Sequence, residues 1–123
     1  MLFIFDCDGV LVDSEIISAE VDAELFTELG VPLTTDDVVT RYAGLTVRDM
    51  IGVIEKDAGK KMPADLIDRH RAILEDRLAR DLKAVAGLDE ILHRLDGARC
   101  VCSNSSSDRL RLTLGKTKLY DAF

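Results

Sequence analysis

The sequence predicts an α/β fold in which a parallel sheet is interrupted by an all-helical segment. Two apolar runs, residues 2–5 and 98–102, each lead into a polar loop, as buried parallel strands do at their carboxyl ends. Between them, residues 15–81 carry apolar side chains at helical spacing with short connections, which is typical of a small bundle. Ligands of such sheets bind outside the carboxyl ends of the strands, so both loops are expected to face one crevice.

Four helices are predicted between the two strands. Gly30 ends the first of them, and Thr34 or Thr35 begins the second. Thr46 and Asp49 resemble a capping box at the start of the third. The fourth is a long charged helix. The apolar positions of the first, third and fourth helices form stripes, with Ile17, Val21, Leu25 and Leu29 in the first, Met50, Ile51 and Ile54 in the third, and Leu66, Ile67, Ile73, Leu74 and Leu78 in the fourth.

Two more helices flank the second strand. The first of these follows Gly87, and Gly97 is expected to end it before the strand begins. The polar loop 103–107 then leads into a helix that reaches Gly115. The second strand therefore has a helix on either side of it along the chain, which is the alternation of an open α/β sheet.

The composition argues against a nucleic-acid-binding protein. The chain has 123 residues and a net charge of −7, whereas affinity for phosphate backbones requires clustered Lys and Arg. The short basic stretch Arg69-His70-Arg71 is interleaved with acids and indicates a solvated helix face. His70 and His93 have no partner motif and are predicted to lie at the surface.

No feature of the sequence predicts a membrane protein or a secreted one. The apolar N-terminus is stopped by Asp6, far short of the roughly 20 residues that a bilayer crossing needs, and it lacks the features of a signal peptide. A cytoplasmic protein is therefore expected. Cys7, Cys100 and Cys102 are odd in number and lie in apolar, strand-like contexts, so they are predicted to be small core residues in a reducing compartment. No second cysteine pair completes a zinc site.

Asp6 and Asp8 directly follow the first strand and are the strongest sign of chemistry. Unpaired buried charge is costly, and Mg²⁺ would remove that cost by binding carboxylate and carbonyl oxygens. One carboxylate could then attack phosphorus as a nucleophile. The other could act as general acid and base. The alternative is a structural Asp-x-Asp-Gly turn or a helix N-cap.

Ser103 follows the second strand in the same way. A hydroxyl beside free backbone N–H groups at a helix N-terminus can bind phosphate. Ser105 or Ser106 can cap the helix that follows, and the two interpretations are compatible.

The segment from Phe5 to Glu15, with the letters FDCDGVLVDSE, resembles the first motif of the haloacid dehalogenase superfamily, in the form found in β-phosphoglucomutase-like phosphatases. The resemblance continues through Val85-Ala86-Gly87-Leu88 and through Val101-Cys102-Ser103-Asn104-Ser105. It implies a Rossmann-like α/β core formed by residues 1–14 and 82–123, with residues 15–81 inserted as a four-helix cap.

The resemblance also implies the roles of individual residues. Asp6 would be the nucleophile that becomes an aspartyl phosphate, and Asp8 the general acid and base. Mg²⁺ would be held by the Asp6 carboxylate and the Asp8 backbone carbonyl. Gly9, Ser103 and Asn104 would bind the phosphate.

The cap segment Gly44-Leu45-Thr46-Val47-Arg48 resembles the loop through which such caps reach the substrate. Arg48 could bind a carboxylate or a second phosphate there. Its alternative is an exposed Arg in the first turn of a helix. Ser14 and Glu15 lie where the chain leaves the core, which suggests a hinge or a substrate contact.

Hydrolysis of a small phosphate ester, with a sugar phosphate as substrate, is the leading functional hypothesis. The dehalogenase and phosphonatase branches do not keep an acid at the position of Asp8. A phosphosugar mutase is the alternative, although Ser18 replaces the cap-entry His that is characteristic of β-phosphoglucomutases. The expected partner is a small phosphorylated metabolite, with no nucleic acid and no membrane.

The third and fourth motifs of the superfamily, a Lys and further acids, are not found. Lys116 and Lys118 follow Ser103 too closely, and no acidic pair on a strand follows Asp121. The chain is therefore expected to be part of a longer phosphatase, inactive by itself and poorly stable. A second alternative is a non-catalytic phosphate-binding remnant.

Overall fold

A computed structural model describes all 123 residues. It contains two strands, six helices and a final 3₁₀ turn, and each predicted helix and strand is present. The elements in chain order are β1 (Leu2–Phe5), α1 (Ser14–Glu28), α2 (Thr35–Arg41), α3 (Val47–Ala58), α4 (Leu66–Asp81), α5 (Leu88–Arg94), β2 (Ala98–Val101), α6 (Ser107–Lys116) and the turn Tyr120–Ala122. No helix is long and apolar enough to cross a bilayer.

The two strands pair in parallel, as predicted, in a register that runs from Leu2 opposite Ala98 to Phe5 opposite Val101. The pairing extends one step further, because the N–H of Cys102 donates to the carbonyl oxygen of Phe5 at 2.8 Å. Parallel strands end at the same edge of a sheet. The loops that begin at Asp6 and Ser103 therefore leave the sheet side by side.

The prediction that β1 is buried on both faces is wrong for this chain. Side chains alternate between the two faces of a strand. Phe3 and Phe5 are half-buried, and the ring of Phe5 lies edge-on to that of Phe123. Leu2 and Ile4 point the other way and are 57% and 65% exposed. A continuous apolar run indicates that a strand can be buried, but the neighbouring elements decide whether it is.

Gly97 has a different role from the predicted one. Helix α5 already ends at Arg94, so Gly97 does not terminate it. Gly97 has φ +155°, and a Cβ at this position would lie only 2.7 Å from the carbonyl oxygen of Met1. The same carbonyl accepts a hydrogen bond from the N–H of Ala98. A glycine is needed here because the start of β1 approaches the backbone too closely for a side chain.

The chain divides into two compact units, residues 1–15 with 77–123, and residues 16–76. The chain passes from one unit to the other within α1 and returns within α4. The first unit contains the sheet, and the second contains most of α1 and α4 with all of α2 and α3. The assignment of residues 1–14 and 82–123 to a functional core, and of 15–81 to a cap, stays a prediction.

The second unit is organised around a continuous apolar cluster. Its buried members include Phe26, Tyr42, Met50, Ile54 and Leu66. The predicted N-cap of α3 is confirmed, and of the two candidates for α2 the N-cap is Thr34. Thr34 forms a complete capping box with Asp37 at the start of α2. Thr46 caps α3 by accepting a hydrogen bond from the N–H of Asp49.

The prediction that His70 lies at the surface is wrong. Its side chain is buried, with 7% of the residue exposed, and its Nε2 lies 2.6 Å from Oδ1 of Asp22. The physical reason is spacing, because Leu66 and Leu74 stand four residues before and after His70 and are both buried. His70 therefore continues the apolar face of α4, and Asp22 on α1 provides the polar partner that a buried ring nitrogen needs. His93 is exposed, as predicted.

The three cysteines differ in burial. Cys7 is fully buried in the first unit, where its Sγ lies 3.8 Å from the Thr113 hydroxyl. Cys100 is half-buried and Cys102 is exposed. The prediction that all three are core residues is therefore correct for Cys7 and wrong for Cys102, which follows β2 and is exposed.

Candidate active site

The loop after β1 is folded around the buried residue Cys7. The Cys7 carbonyl oxygen accepts hydrogen bonds from the N–H groups of Val10, Leu11 and Val12, at 3.2, 2.8 and 3.2 Å. Gly9 takes φ +75°, a left-handed conformation that favours glycine. Cys7 is buried, whereas the flanking residues Asp6 and Asp8 are exposed and half-buried respectively.

The backbone of residues 83–85 fixes the end of this loop. The N–H of Asp13 donates to the carbonyl oxygen of Lys83 at 2.9 Å, and the N–H of Val85 donates to that of Leu11 at 3.0 Å. The segment that leads to α1 is thereby paired with the segment that follows α4. This pairing holds Ser14, the first residue of α1, in a defined place beside the loop.

Both carboxylate oxygens of Asp8 accept hydrogen bonds from serine hydroxyls. Ser14 Oγ donates to Oδ1 at 2.6 Å, and Ser105 Oγ donates to Oδ2 at 2.7 Å. Ser105 lies in the loop after β2, so this contact confirms that the two strand ends meet. Sequence reasoning had not singled out Ser105 as a partner of Asp8, because no local pattern connects the two positions.

Asp6 makes fewer contacts within the protein. Its Oδ1 accepts a 2.7 Å hydrogen bond from the N–H of Cys7, whereas its Oδ2 accepts none. The carbonyl oxygen of Asp8 also receives no backbone hydrogen bond. Two oxygen atoms at this end of the sheet thus have lone pairs available to an external group.

These oxygens fit a hard divalent cation. Mg²⁺ prefers oxygen ligands and commonly keeps several waters, so it is bound through only one or two carboxylates together with substrate phosphate. No three His, Cys, Asp or Glu side chains are grouped as a metal site anywhere in the chain. A cation bound here would accordingly take most of its ligands from water and substrate.

The loop after β2 places Ser103 and Asn104 at the same edge of the sheet. Ser103 is half-buried, and its Oγ accepts a 3.1 Å hydrogen bond from the N–H of Ser105. Asn104 is exposed. Ser106 is the N-cap of α6, because its hydroxyl accepts a hydrogen bond from the N–H of Arg109 at 3.2 Å. The capping role foreseen for Ser105 or Ser106 therefore belongs to Ser106.

Two carboxylates and one guanidinium act on the buried Cys7 thiol. Burial raises the pKa of this thiol and the nearby carboxylates of Asp8 and Asp6 raise it further, while the hydrogen bond to Thr113 and the positive charge of Arg109 oppose the rise. Two carboxylates close to one buried residue would attract a cation.

The remaining predicted site residue, Arg48, belongs to the second unit. It is the second residue of α3 and its side chain is exposed. Its predicted contact with substrate stays a prediction. Glu15 lies in the first unit against Gly9, since a Cβ on Gly9 would lie 2.9 Å from the Glu15 carboxyl carbon.

Comparison with known families identifies one match over nearly the whole chain. Residues 3–123 match the model of the haloacid dehalogenase-like hydrolases. Among characterised relatives, 6-phosphogluconate phosphatase of Escherichia coli K12 is 28% identical over 120 residues, which are 97% of this chain and 54% of that protein.

Solved structures give the same result. A conserved haloacid dehalogenase-like protein of Agrobacterium tumefaciens C58 superimposes with a TM-score of 0.94 at 45% identity, over 99% of this chain and 55% of that one. A family hydrolase of Deinococcus radiodurans R1, solved with bound phosphate and sodium, gives a TM-score of 0.80 at 26% identity, over 98% of this chain and 54% of that one. The predicted α/β architecture with inserted helices is confirmed, and the chain spans about half the length of these relatives.

Proposed function

The chain belongs to the haloacid dehalogenase-like hydrolases, and from this we propose that the protein hydrolyses a small phosphate ester, with sugar phosphates as the substrate class. The observation that carries the proposal is the placement of Asp8. Its carboxylate is held where the two strand ends meet, two residues after Asp6 and beside the loop that contains Ser103. A phosphatase among the relatives, and a family hydrolase solved with bound phosphate, agree with this assignment.

In the first half-reaction, a carboxylate oxygen of Asp6 attacks the phosphorus atom. The new bond from oxygen to phosphorus forms as the ester P–O bond breaks, which leaves an aspartyl phosphate on Asp6. Asp8 gives its proton to the departing ester oxygen, so that the leaving group departs as a neutral alcohol. Asp6 suits this role because one carboxylate oxygen is oriented by the Cys7 N–H while the other accepts no bond.

In the second half-reaction, Asp8 acts as a base. It takes a proton from a water molecule as the water oxygen bonds to phosphorus and the bond to Asp6 breaks. Inorganic phosphate is released, and both carboxyl groups return to their starting state. The same side chain thus donates a proton in one step and recovers it in the other.

Phosphate recognition is assigned to the loop after β2 and to Gly9. The hydroxyl of Ser103 and the N–H of Asn104 lie in the segment between β2 and α6, where backbone donors and a helix N-terminus favour an anion. The left-handed conformation of Gly9 allows the loop after β1 to turn close to the proposed phosphate position. Arg48 is proposed to bind the remainder of the substrate, since a guanidinium can hold a carboxylate or second phosphate through two parallel bonds.

The cofactor proposed for this reaction is Mg²⁺, held by the Asp6 carboxylate and the Asp8 backbone carbonyl. When bound, the ion neutralises phosphate charge and lets a carboxylate approach phosphorus. In the complete protein that contains this chain, EDTA should abolish phosphate release and added Mg²⁺ should restore it. Activity that survives chelation would contradict this part of the proposal.

The function is tested by replacing each carboxylate in the complete protein and measuring phosphate release from sugar phosphates. Asp6→Asn should abolish turnover and phosphoenzyme formation, and Asp8→Asn should lower kcat by about 10² to 10⁴-fold. Asp13→Asn is the matched control, because Asp13 is an exposed neighbour on the same loop and should keep activity. Undiminished turnover in both the Asp6 and Asp8 variants would refute the mechanism.

One further measurement separates hydrolysis from the mutase alternative. The protein is incubated with a β-hexose 1-phosphate, and both free phosphate and the 6-phosphate isomer are followed. Free phosphate is expected. Formation of the isomer without phosphate would identify a mutase, and the absence of both products from every sugar phosphate tried would favour a non-catalytic phosphate-binding protein.

A further inference from the structure

We propose that Ser105 is a positioning residue that holds the Asp8 carboxylate in the orientation needed for proton transfer, an inference that rests on the proposed function. The hydroxyl of Ser105 donates to Asp8 Oδ2 at 2.7 Å while that of Ser14 donates to Oδ1 at 2.6 Å. A carboxylate with a donor on each oxygen cannot rotate without breaking one bond. The plane of the Asp8 carboxylate is therefore fixed from two sides.

The two serines are held in place independently of each other. Ser14 is the first residue of α1 and is only 3% exposed. Ser105 belongs to the β2–α6 loop, and its backbone N–H donates to the Ser103 hydroxyl oxygen at 3.1 Å. Removing the Ser105 hydroxyl would leave Asp8 held by Ser14 alone, and the carboxylate could then turn about the remaining hydrogen bond.

Ser105 also connects the two parts of the proposed reaction. Its N–H contacts Ser103, which is assigned to the phosphoryl group, and its hydroxyl contacts Asp8, which is assigned to the leaving oxygen. A shift of the loop between β2 and α6 would therefore move the Asp8 carboxylate through Ser105. Proton transfer depends on distances of about 3 Å between heavy atoms. This connection therefore keeps the Asp8 carboxyl group at that distance from the leaving oxygen.

The Ser105 hydroxyl is not required for the adjacent helix. The N-cap of α6 is Ser106, which accepts the hydrogen bond from Arg109. The two neighbouring serines thus separate two roles, one toward Asp8 and one toward the helix. This makes Ser106 a matched control for Ser105.

Positioning of an acid matters most when the leaving group is poor. Phenoxide, with a conjugate acid of pKa about 10 like that of tyrosine, needs the proton from Asp8 as the P–O bond breaks. The more acidic p-nitrophenol leaves readily as its anion. Phenyl phosphate and p-nitrophenyl phosphate have nearly the same shape, so their ratio of kcat/KM reports on proton donation while differences in binding cancel. The value of kcat/KM covers the steps up to release of the leaving group.

The test compares Ser105→Ala, Ser105→Cys, Ser105→Thr and Ser106→Ala in the complete protein with Mg²⁺. The Ala variant should lower kcat/KM for phenyl phosphate by about tenfold or more, and for p-nitrophenyl phosphate by less than about threefold. The Cys variant keeps the size of the side chain but is a weak donor, so it should behave like Ala. The Thr variant keeps the hydroxyl and should restore the wild-type ratio.

Several outcomes would overturn the assignment of Ser105. They are an equal loss on both esters in the Ala and Cys variants, an unchanged ratio in those variants, or the same change of ratio in Ser106→Ala. A failure of the proposed function gives a different pattern. In that case the wild-type protein hydrolyses neither ester, or the Asp8→Asn variant keeps the wild-type rates on both.

Discussion

The Asp8 carboxylate accepts a 2.7 Å hydrogen bond from the hydroxyl of Ser105, which stands 97 positions later in the chain. The bond exists because β1 and β2 run parallel and in register, so that the loops after them leave the sheet at one edge. Together with Ser14, Ser105 gives each oxygen of the carboxylate one donor. The sheet, although it has only two strands here, thus fixes the orientation of the proposed acid.

Gly9 should resist substitution, because its backbone has φ +75° and a Cβ would approach the Glu15 carboxyl group to 2.9 Å. Gly9→Ala should lower the free energy of unfolding by about 1–2 kcal/mol. Gly52→Ala is the control, since Gly52 lies inside α3 with open space around its Cα, and it should raise stability by about 0.5–1 kcal/mol. Urea unfolding of both variants tests this, and changes of the same sign would contradict the interpretation.

The His70–Asp22 hydrogen bond should contribute measurably to the second unit. Asp22→Ala would leave a buried ring nitrogen of His70 without the partner that now lies at 2.6 Å, at a cost of about 1–3 kcal/mol. Arg71→Ala is the control. Its exposed pair with Asp68 has a separation of 3.7 Å, and its loss should change stability by less than about 0.5 kcal/mol. Equal losses of stability in the two variants, measured by thermal or urea unfolding, would show that the buried His70–Asp22 pair contributes no more than the exposed Arg71–Asp68 pair.

The capping box at Thr34 should make stability depend on pH. The N–H and hydroxyl of Thr34 donate to the Asp37 carboxylate, and these bonds lower its pKa. A carboxyl group whose pKa is lower in the folded state than in the unfolded state stabilises the fold at pH values above its ordinary, unfolded-state pKa. That stability is lost as the pH falls through the lower folded value. The stability difference between wild type and Asp37→Asn should therefore shrink as the pH falls, and a constant difference in urea midpoints would contradict this.

The three thiols should react in the order of their exposure. Cys102 is exposed, whereas Cys7 is buried and burial raises the pKa of its thiol. Thiolate is the reactive form, so alkylation at mildly basic pH should modify Cys102 first and Cys7 only after unfolding. Peptide mapping by mass spectrometry after timed exposure to iodoacetamide measures the order. Rapid modification of Cys7 in the folded protein would show that the loop around it opens.

Local patterns in the sequence were sufficient for the order of the elements and for the starts of α2 and α3. Thr46 and Thr34, the latter one of two candidates for α2, cap their helices because capping depends on residues only three positions apart. The two strands could be recognised from the apolar runs that end in polar loops. The same runs placed Asp6 and Ser103 at strand ends, and the likeness of the Asp6 segment to a known motif identified the family that the whole chain matches.

The tertiary structure decided what depends on contacts between distant segments. The apolar run of β1 did not reveal that Leu2 and Ile4 are exposed, since burial depends on which elements cover a face. The charged neighbours of His70 concealed its burial against Asp22. The sequence suggested Ser105 as a possible helix cap, whereas in the structure the parallel pairing of the strands brings its hydroxyl to Asp8. The sequence by itself determined which groups could do chemistry, because residue type and local spacing are properties of the chain. Their orientation required the fold, because hydrogen bonds across 97 positions exist only once the two strands have paired.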